Sequence, residues 1–219
     1  MSSRQAFAGL SGLLLVFFLP ITLLAQSAAS GSDAQQDFLN RLSAAAIERT
    51  QHTVRYDPGY VAMSYPGGDV PADAGVCSDE VIRSYRALGI DLQKEVHEDM
   101  KKHLTAYPER SRTLDRNIDH RRVANLMVFF KRNGETLRVT RRAGDYAPGD
   151  LVTWDLGNGL NHIGMVVDQK SSASGRYMMV HNIGQGPRME DVLFSWKITG
   201  HYRYFGPFPQ DVRPEERRR

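Results

Sequence analysis

Hydrophobic residues in the first half of the chain recur at helical spacing. Apolar positions three or four residues apart predict four amphipathic helices, over residues 35–51, 77–88, 91 to 100 or 104, and 123–134. Gly89 is placed to end the second helix, and Asp91 is placed to cap the third. We therefore expect a helical first half with short, defined connections.

The second half of the chain changes to shorter runs that are rich in β-branched and aromatic residues. These runs are separated by Pro-Gly, Gly-Asn-Gly and Ser-rich turns and predict strands, over residues 136–140, 151–156, 162–168, 177–181 and 196–204. Helices followed by strands, without alternation, indicate an α+β domain. We expect the N-terminal helices to pack on an antiparallel sheet of about five strands.

The two ends of the chain differ in composition from the rest. An apolar run over residues 6–25 follows Arg4 and precedes small residues, which is typical of a secretory signal. We interpret residues 1–27 as a signal peptide with cleavage between 25 and 31, the alternative being an uncleaved membrane anchor. Residues 28–209 are then a single domain, and residues 210–219 are a disordered basic tail. The protein is expected to cross the inner membrane into the periplasm, without stable membrane insertion after signal removal.

Charge and cysteine content narrow the function classes. The formal net charge is only +3 and basic residues concentrate in the C-terminal tail, so no nucleic-acid partner is predicted. The chain has one cysteine, Cys77, which cannot form an internal disulfide. It is therefore an inert buried residue, an interchain partner or a free reactive thiol.

Cys77 opens the second predicted helix. Unpaired backbone N–H groups and the helix dipole favour a thiolate there, although Asp79 and Glu80 oppose it by like charge. A nucleophilic role thus requires a histidine, and His162 and His181 lie on consecutive predicted strands. One imidazole could act as the base and the other could orient it. Asn182 is an alternative orienter, but adjacent strand residues face opposite sides, so only one of the pair should face the site.

The remaining polar candidates carry weaker signals. His97 and His103 lack the spacing of a zinc protease motif and are interpreted as a solvated helical face, so no metal or cofactor is predicted. The polar segment before the fourth helix could line a substrate cleft or remain surface. Its candidate substrate-binding residues are Asp119, His120, Arg121 and Arg122. The two arginines could bind a substrate carboxylate.

Four elements together resemble the NlpC-type cell-wall cysteine peptidases. They are Cys77 at a helix start, residues 148–152 (PGDLV), residues 162–166 (HIGMV) and Val180-His181. The longer runs around them are similar to the YijF-like proteins, a domain family of unknown function grouped with that superfamily. The chain departs from the family pattern at Asp79, where the peptidases usually have glycine, and in two additional helices between Cys77 and His162.

The resemblance implies a papain-like fold and a cysteine amidase or peptidase. Cys77 would be the nucleophile, His162 the base and His181 the orienter, and Tyr65 would help to stabilise the oxyanion. The implied substrate is an amide or peptide bond of the cell envelope, in peptidoglycan stem peptides. A non-catalytic envelope binding module of the same fold and a thiol acyltransferase are the alternatives.

Overall fold

The computed structural model describes residues 22–157 and 159–207. By its internal contacts the chain divides into two units after Ala34. Most of the expected signal peptide and the whole of the basic tail lie outside the described residues. The expected cleavage region, 25–31, lies within the first helix. Among the described helices, none combines the length and apolar character that a membrane span requires.

The four predicted α-helices are all present. They are α1 (Thr22–Arg49), α2 (Cys77–Ala87), α3 (Leu92–Lys102) and α4 (Val123–Asn133). Gly89 follows α2 with a φ of 82°, a left-handed conformation that glycine adopts without strain. The Asp91 carboxylate accepts a hydrogen bond from the Lys94 N–H at 3.2 Å and caps α3, as the sequence predicts. Short 3₁₀ turns cover Leu104–Ala106, Glu109–Ser111, Asp119–Arg121 and Ala143–Asp145.

The strands form two sheets. Two-residue strands β1 (Arg55–Tyr56) and β2 (Ala74–Gly75) pair in parallel just before α2. The main sheet is antiparallel with the order β3-β8-β4-β5-β6-β7. Its strands are β3 (Glu135–Thr136), β4 (Leu151–Asp155), β5 (Asn161–Lys170), β6 (Tyr177–Asn182), β7 (Pro187–Glu190) and β8 (Lys197–Arg203).

Two details of the predicted sheet are wrong. It has six strands rather than about five, because β7 was not predicted. That strand begins with proline and alternates with charged residues, a pattern that weakens a strand prediction but suits the edge of a sheet. The strand predicted over residues 136–140 is reduced to Glu135–Thr136, the residues that pair in register with β8.

The sheet buries a different cluster on each face. Side chains from all four helices pack on one face, against Ile163, Met165 and Val167 of β5. The alternate residues of β5 turn away from this core, and Val166 packs with Trp154 in the second cluster. Cys77 belongs to the helix-facing cluster. The α+β architecture is therefore the one that the sequence predicts.

Candidate active site

The start of α2 fixes the position of Cys77. Val76 is the N-cap in an extended conformation, and its N–H donates to the Asp79 carboxylate at 2.7 Å. The two-residue strand β2 leads directly into this cap. Cys77 is only 5% exposed. The thiol is thus held at the helix N-terminus by the backbone on both sides of it.

Burial dominates the electrostatics of this thiol. It raises the pKa of Cys77 to about 11, although the N–H groups of Ile163, Ser78 and Cys77 itself act to lower it. The charge of Asp79 also raises the pKa. Desolvation therefore outweighs the helix-terminal amides, so the helix N-terminus alone does not yield a thiolate in this state. The thiol is neutral at physiological pH.

Arg121 neutralises the carboxylate nearest to Cys77. Its guanidinium donates to both oxygens of Asp79, at 2.8 and 2.9 Å, and both side chains are 2% exposed. It also donates to the carbonyl of Gly59 at 3.0 Å. Because these contacts occupy Arg121, it supports the start of α2 rather than remaining free for a substrate.

His162 and His181 are brought together and continue to a third residue. His162 Nε2 lies 2.9 Å from His181 Nδ1, and His181 Nε2 lies 3.0 Å from the carboxylate of Glu190 on β7. A carboxylate only accepts, so His181 Nε2 donates and its Nδ1 must accept from His162 Nε2. This tautomer leaves the lone pair of His162 on Nδ1. The three residues form a hydrogen-bonded relay in which His162 Nδ1 carries the free lone pair.

Both imidazoles are held in their neutral form. Burial, together with the neighbouring His181, lowers the pKa of His162 to about 3. Burial also lowers the pKa of His181, and Glu190 opposes that change. Protonation of His162 is therefore disfavoured in this state, and the Glu190 carboxylate offsets part of the cost of a positive charge on His181.

Two tryptophans and a glycine hold the imidazoles in place. The Trp154 ring is stacked near His162, with centroids 5.6 Å apart, and Trp196 lies edge-on to both histidines. Gly164 is paired with His181 across β5 and β6. A Cβ on Gly164 would lie 3.0 Å from the His181 Cβ. The histidine pair thus depends on the missing side chain at this position.

Cys77 and His162 both lie beside Ile163 of β5 but are not hydrogen-bonded to each other. The Cys77 sulfur is next to the N–H of Ile163, the residue that follows His162. Ile163 belongs to the helix-facing cluster, whereas the His162 ring packs with the tryptophans of the other cluster. Within the described residues, no hydrogen bond joins Cys77 and His162. The structure therefore joins His162 to His181, but it leaves Cys77 and the His162 ring on opposite faces of β5.

A cavity of about 370 Å³ opens onto Cys77. It lies where the starts of α2 and α4 meet the Gly-rich turn between β4 and β5. Its walls are Tyr56, Pro58, Val76, Cys77, Arg110, Ser111, Ile118, Arg121, Arg122, Val123, Ala124, Gly159, Leu160 and Asn161. A substrate that reaches the thiol would enter here.

Tyr56, which the sequence analysis did not single out, lines the cavity near Cys77. It pairs with Gly75, two residues before Cys77, and both burial and the proximity of Cys77 raise the pKa of its phenol. Tyr65 instead donates to Glu98 at 2.8 Å and packs edge-on to His97. The Tyr65 hydroxyl is therefore engaged with α3, and Tyr65 is not among the residues that line the cavity.

Other predicted binding residues lie apart from the cavity wall. Asp119 is buried 2.9 Å from His97 Nδ1, and burial lowers the pKa of His120 to about 4. Asn182 is buried beside His181 and accepts from the Gly184 N–H at 3.1 Å. These contacts are structural, whereas Arg121 and Arg122 do line the cavity. Of the two orienter candidates, His181 is the one that contacts His162.

Within residues 22–157 and 159–207, no cluster of three or more His, Cys, Asp or Glu side chains is arranged to hold a metal ion. Glu190 and Ser111 were missed by the sequence analysis. A glutamate at the end of an unpredicted edge strand has no local signal, and neither has a serine in a polar loop. The candidate site is therefore a thiol, a His-His-Glu relay and an arginine-lined cavity.

Sequence comparison with known proteins identifies the family of this chain. Residues 43–204 match the family described as a domain of unknown function, DUF1287. The chain is also 50% identical over 162 residues to the uncharacterized protein YijF of Escherichia coli (strain K12), covering 73% of this chain and 78% of that protein. The matched region contains Cys77 and the whole relay. The chain belongs to the DUF1287 family.

Proposed function

We propose that the protein is a secreted cysteine hydrolase of the NlpC-type, papain-like superfamily. It cleaves amide or peptide bonds of the cell envelope, with peptidoglycan stem peptides as the substrate class. The hydrogen-bonded relay of His162, His181 and Glu190 carries this proposal, because it ends one residue from the amide that contacts Cys77. A buried imidazole whose tautomer is fixed by a carboxylate is the arrangement that general-base catalysis uses.

The reaction starts from a neutral thiol and a neutral imidazole. The Cys77 sulfur attacks the substrate carbonyl carbon while its proton passes to His162 Nδ1. His181 and Glu190 stabilise the resulting imidazolium through the relay. Proton transfer during attack avoids a free thiolate, which the raised pKa of Cys77 makes rare at neutral pH.

The oxyanion forms beside the start of α2. The Cys77 N–H and the Tyr56 hydroxyl are the donors for it, since the raised pKa of Tyr56 keeps that phenol protonated. Collapse of the tetrahedral intermediate breaks the carbon–nitrogen bond, and His162 returns the proton to the leaving amine. Water then hydrolyses the thioester, with His162 again as the base.

In this proposal, substrate binding has to bring two side chains together. Cys77 and His162 must come within hydrogen-bond reach, and such catalytic contacts are often longer before the substrate binds. The cavity gives a substrate access to Cys77, and its wall reaches Asn161, the residue before His162, so His162 has to turn toward the cavity when the substrate binds. The proposed secretion rests on a different observation, the apolar run over residues 6–25, which fits a signal peptide leading to the periplasm.

Hydrolysis of purified peptidoglycan fragments tests the proposal. Wild-type protein should release a stem-peptide product detectable by liquid chromatography and mass spectrometry. Cys77→Ala should abolish this release with the fold retained, and His162→Ala should reduce it nearly as much. Ser172→Ala, in an exposed turn, is the matched control and should cleave at the wild-type rate. Cleavage that survives Cys77→Ala would refute the mechanism.

A second candidate is a non-catalytic envelope binding module of the same fold. The buried neutral thiol and its lack of a hydrogen bond to His162 favour it. Iodoacetamide labelling separates the two. The hydrolase predicts labelling of the folded protein that accelerates about tenfold per pH unit toward the raised thiol pKa. Labelling only after denaturation would favour the binding module.

A further inference from the structure

The cavity over Cys77 carries an unbalanced positive charge. Three arginines line it, and the described residues of its wall include no aspartate or glutamate. Arg121 is paired with Asp79. Arg110 is exposed and Arg122 is half-buried, and among the described residues neither side chain has an ion pair or hydrogen bond. Two cations are thus available to whatever fills the cavity.

Ser111 provides an independent sign of a ligand. It lines the same cavity and is fully buried. Its Oγ has no hydrogen-bond partner, and buried hydroxyls without partners are rare because desolvation is costly. The hydroxyl lies buried at the cavity wall, and a small rotation of the side chain would let it donate to a bound group.

The backbone at the start of α4 also favours a negatively charged ligand. Arg122, Val123 and Ala124, all on the cavity wall, form the start of α4, which has no side-chain cap and no acidic residue in its first turn. The first N–H groups of a helix have no partner within the helix and favour an anion. Arginine side chains, a free hydroxyl and helix-terminal amides all select the same kind of ligand.

We propose that this cavity contains a subsite for a carboxylate of the substrate, bound by Arg122, Arg110 and Ser111. The subsite lines the same cavity as Cys77. The substrate carboxylate that it binds therefore lies close to the scissile bond. Its assignment to a substrate rests on the proposed function, whereas the anion site itself does not. The substrate class narrows to amides that carry an acidic group close to the cleaved carbonyl.

Two alkylating reagents of similar size test the site without any substrate. Iodoacetate carries a carboxylate and iodoacetamide is neutral. Each forms a sulfur–carbon bond at Cys77 as the carbon–iodine bond breaks, with iodide leaving and the thiol proton passing to buffer. Because the chain has one cysteine, intact-mass measurement at pH 9 reports the rate at Cys77 alone. The ratio of the two rates cancels changes in thiol pKa.

Arg122→Gln should lower the ratio of the iodoacetate rate to the iodoacetamide rate by about three- to tenfold, the effect of losing one partly buried charged partner. Ser111→Ala should lower it less, and Arg122→Lys should restore part of it. Arg141→Gln, which removes an exposed arginine outside the cavity, should leave the ratio unchanged. An equal ratio in wild type, Arg122→Gln and the Arg110/Arg122 double Gln variant would overturn the proposal.

Competition identifies the anion. Succinate should slow iodoacetamide labelling of wild type but not of Arg122→Gln, whereas stronger protection by inorganic phosphate at equal ionic strength would overturn the carboxylate assignment. If the folded thiol does not label, a succinate-dependent rise in Tm that requires Arg122 decides instead, and its absence refutes the site. A shifted ratio without peptidoglycan cleavage would retain the subsite and reject the proposed hydrolase. Cleavage with an unshifted ratio would do the reverse.

Discussion

Gly164 lies at the point where the two histidines meet, and replacing it with alanine adds one methyl group there. The new Cβ would lie 2.9 Å from the Val180 carbonyl oxygen, 3.0 Å from the His181 Cβ and 3.1 Å from the Trp154 ring. All three distances are shorter than ordinary van der Waals contact. The carbonyl and the Cβ belong to β6 itself, so relief requires β6 to move away from β5.

The cost of this overpacking is about 1–3 kcal/mol in the free energy of unfolding. In a domain of this size, each kcal/mol lowers Tm by about 2–4 °C. Movement of β6 also carries His181 away from His162, whose ring nitrogens are 2.9 Å apart. A displacement of about 1 Å in a catalytic group can cost on the order of 100-fold in rate, so peptidoglycan cleavage should fall much more than stability does.

Urea unfolding followed by tryptophan fluorescence measures the first effect, because Trp154 lies beside the substitution. Gly144→Ala is the matched control, since its added Cβ has no atom within 4 Å and its stability should change by less than about 0.5 kcal/mol. Equal urea midpoints for the two variants would refute the close packing of β5 against β6 at the histidine pair.

Three further substitutions test other parts of the account. Arg121→Ala leaves the buried Asp79 without its bidentate partner and should destabilise the fold by about 3–5 kcal/mol in urea unfolding; a loss under about 1 kcal/mol would contradict the buried pair. His120 has a folded pKa of about 4 against an ordinary 6.5, so the unfolded chain binds the proton first as pH falls. Its stabilising contribution is present above pH 6.5 and decreases by about 2 kcal/mol between pH 7 and 5; His120→Gln should remove that part of the slope, and an unchanged slope in urea midpoints would disprove it. Glu190→Gln keeps an acceptor but removes the charge at a partly exposed position, so kcat for cleavage should fall about tenfold with little change in Tm; wild-type kcat would exclude Glu190 from the relay.

The sequence pattern alone predicts those parts of the site that depend on elements adjacent in the chain. The start of α2 at Cys77 is marked by the turn residues before it and by the helical spacing after it. His162 and His181 lie on consecutive strands, β5 and β6, which pair as neighbours. Their contact therefore follows from the order of the strands alone.

The rest of the site depends on long-range pairing that the sequence pattern does not show. Tyr56 reaches Cys77 through a two-residue parallel pairing with β2, which is too short to have a periodicity. Arg121 meets Asp79 across 42 positions. The raised pKa of Cys77 depends on how completely the helices and sheet bury the thiol, which the helix-start argument alone does not include.

The most direct test of the central claim is the mass of the protein during turnover. Wild-type protein incubated with peptidoglycan fragments and quenched in acid should gain the mass of the acyl part of the substrate. Peptide mapping should place this adduct on Cys77, and His162→Ala should form it more slowly. Turnover without any adduct on Cys77, or an adduct that persists in Cys77→Ala, would contradict covalent catalysis by this thiol.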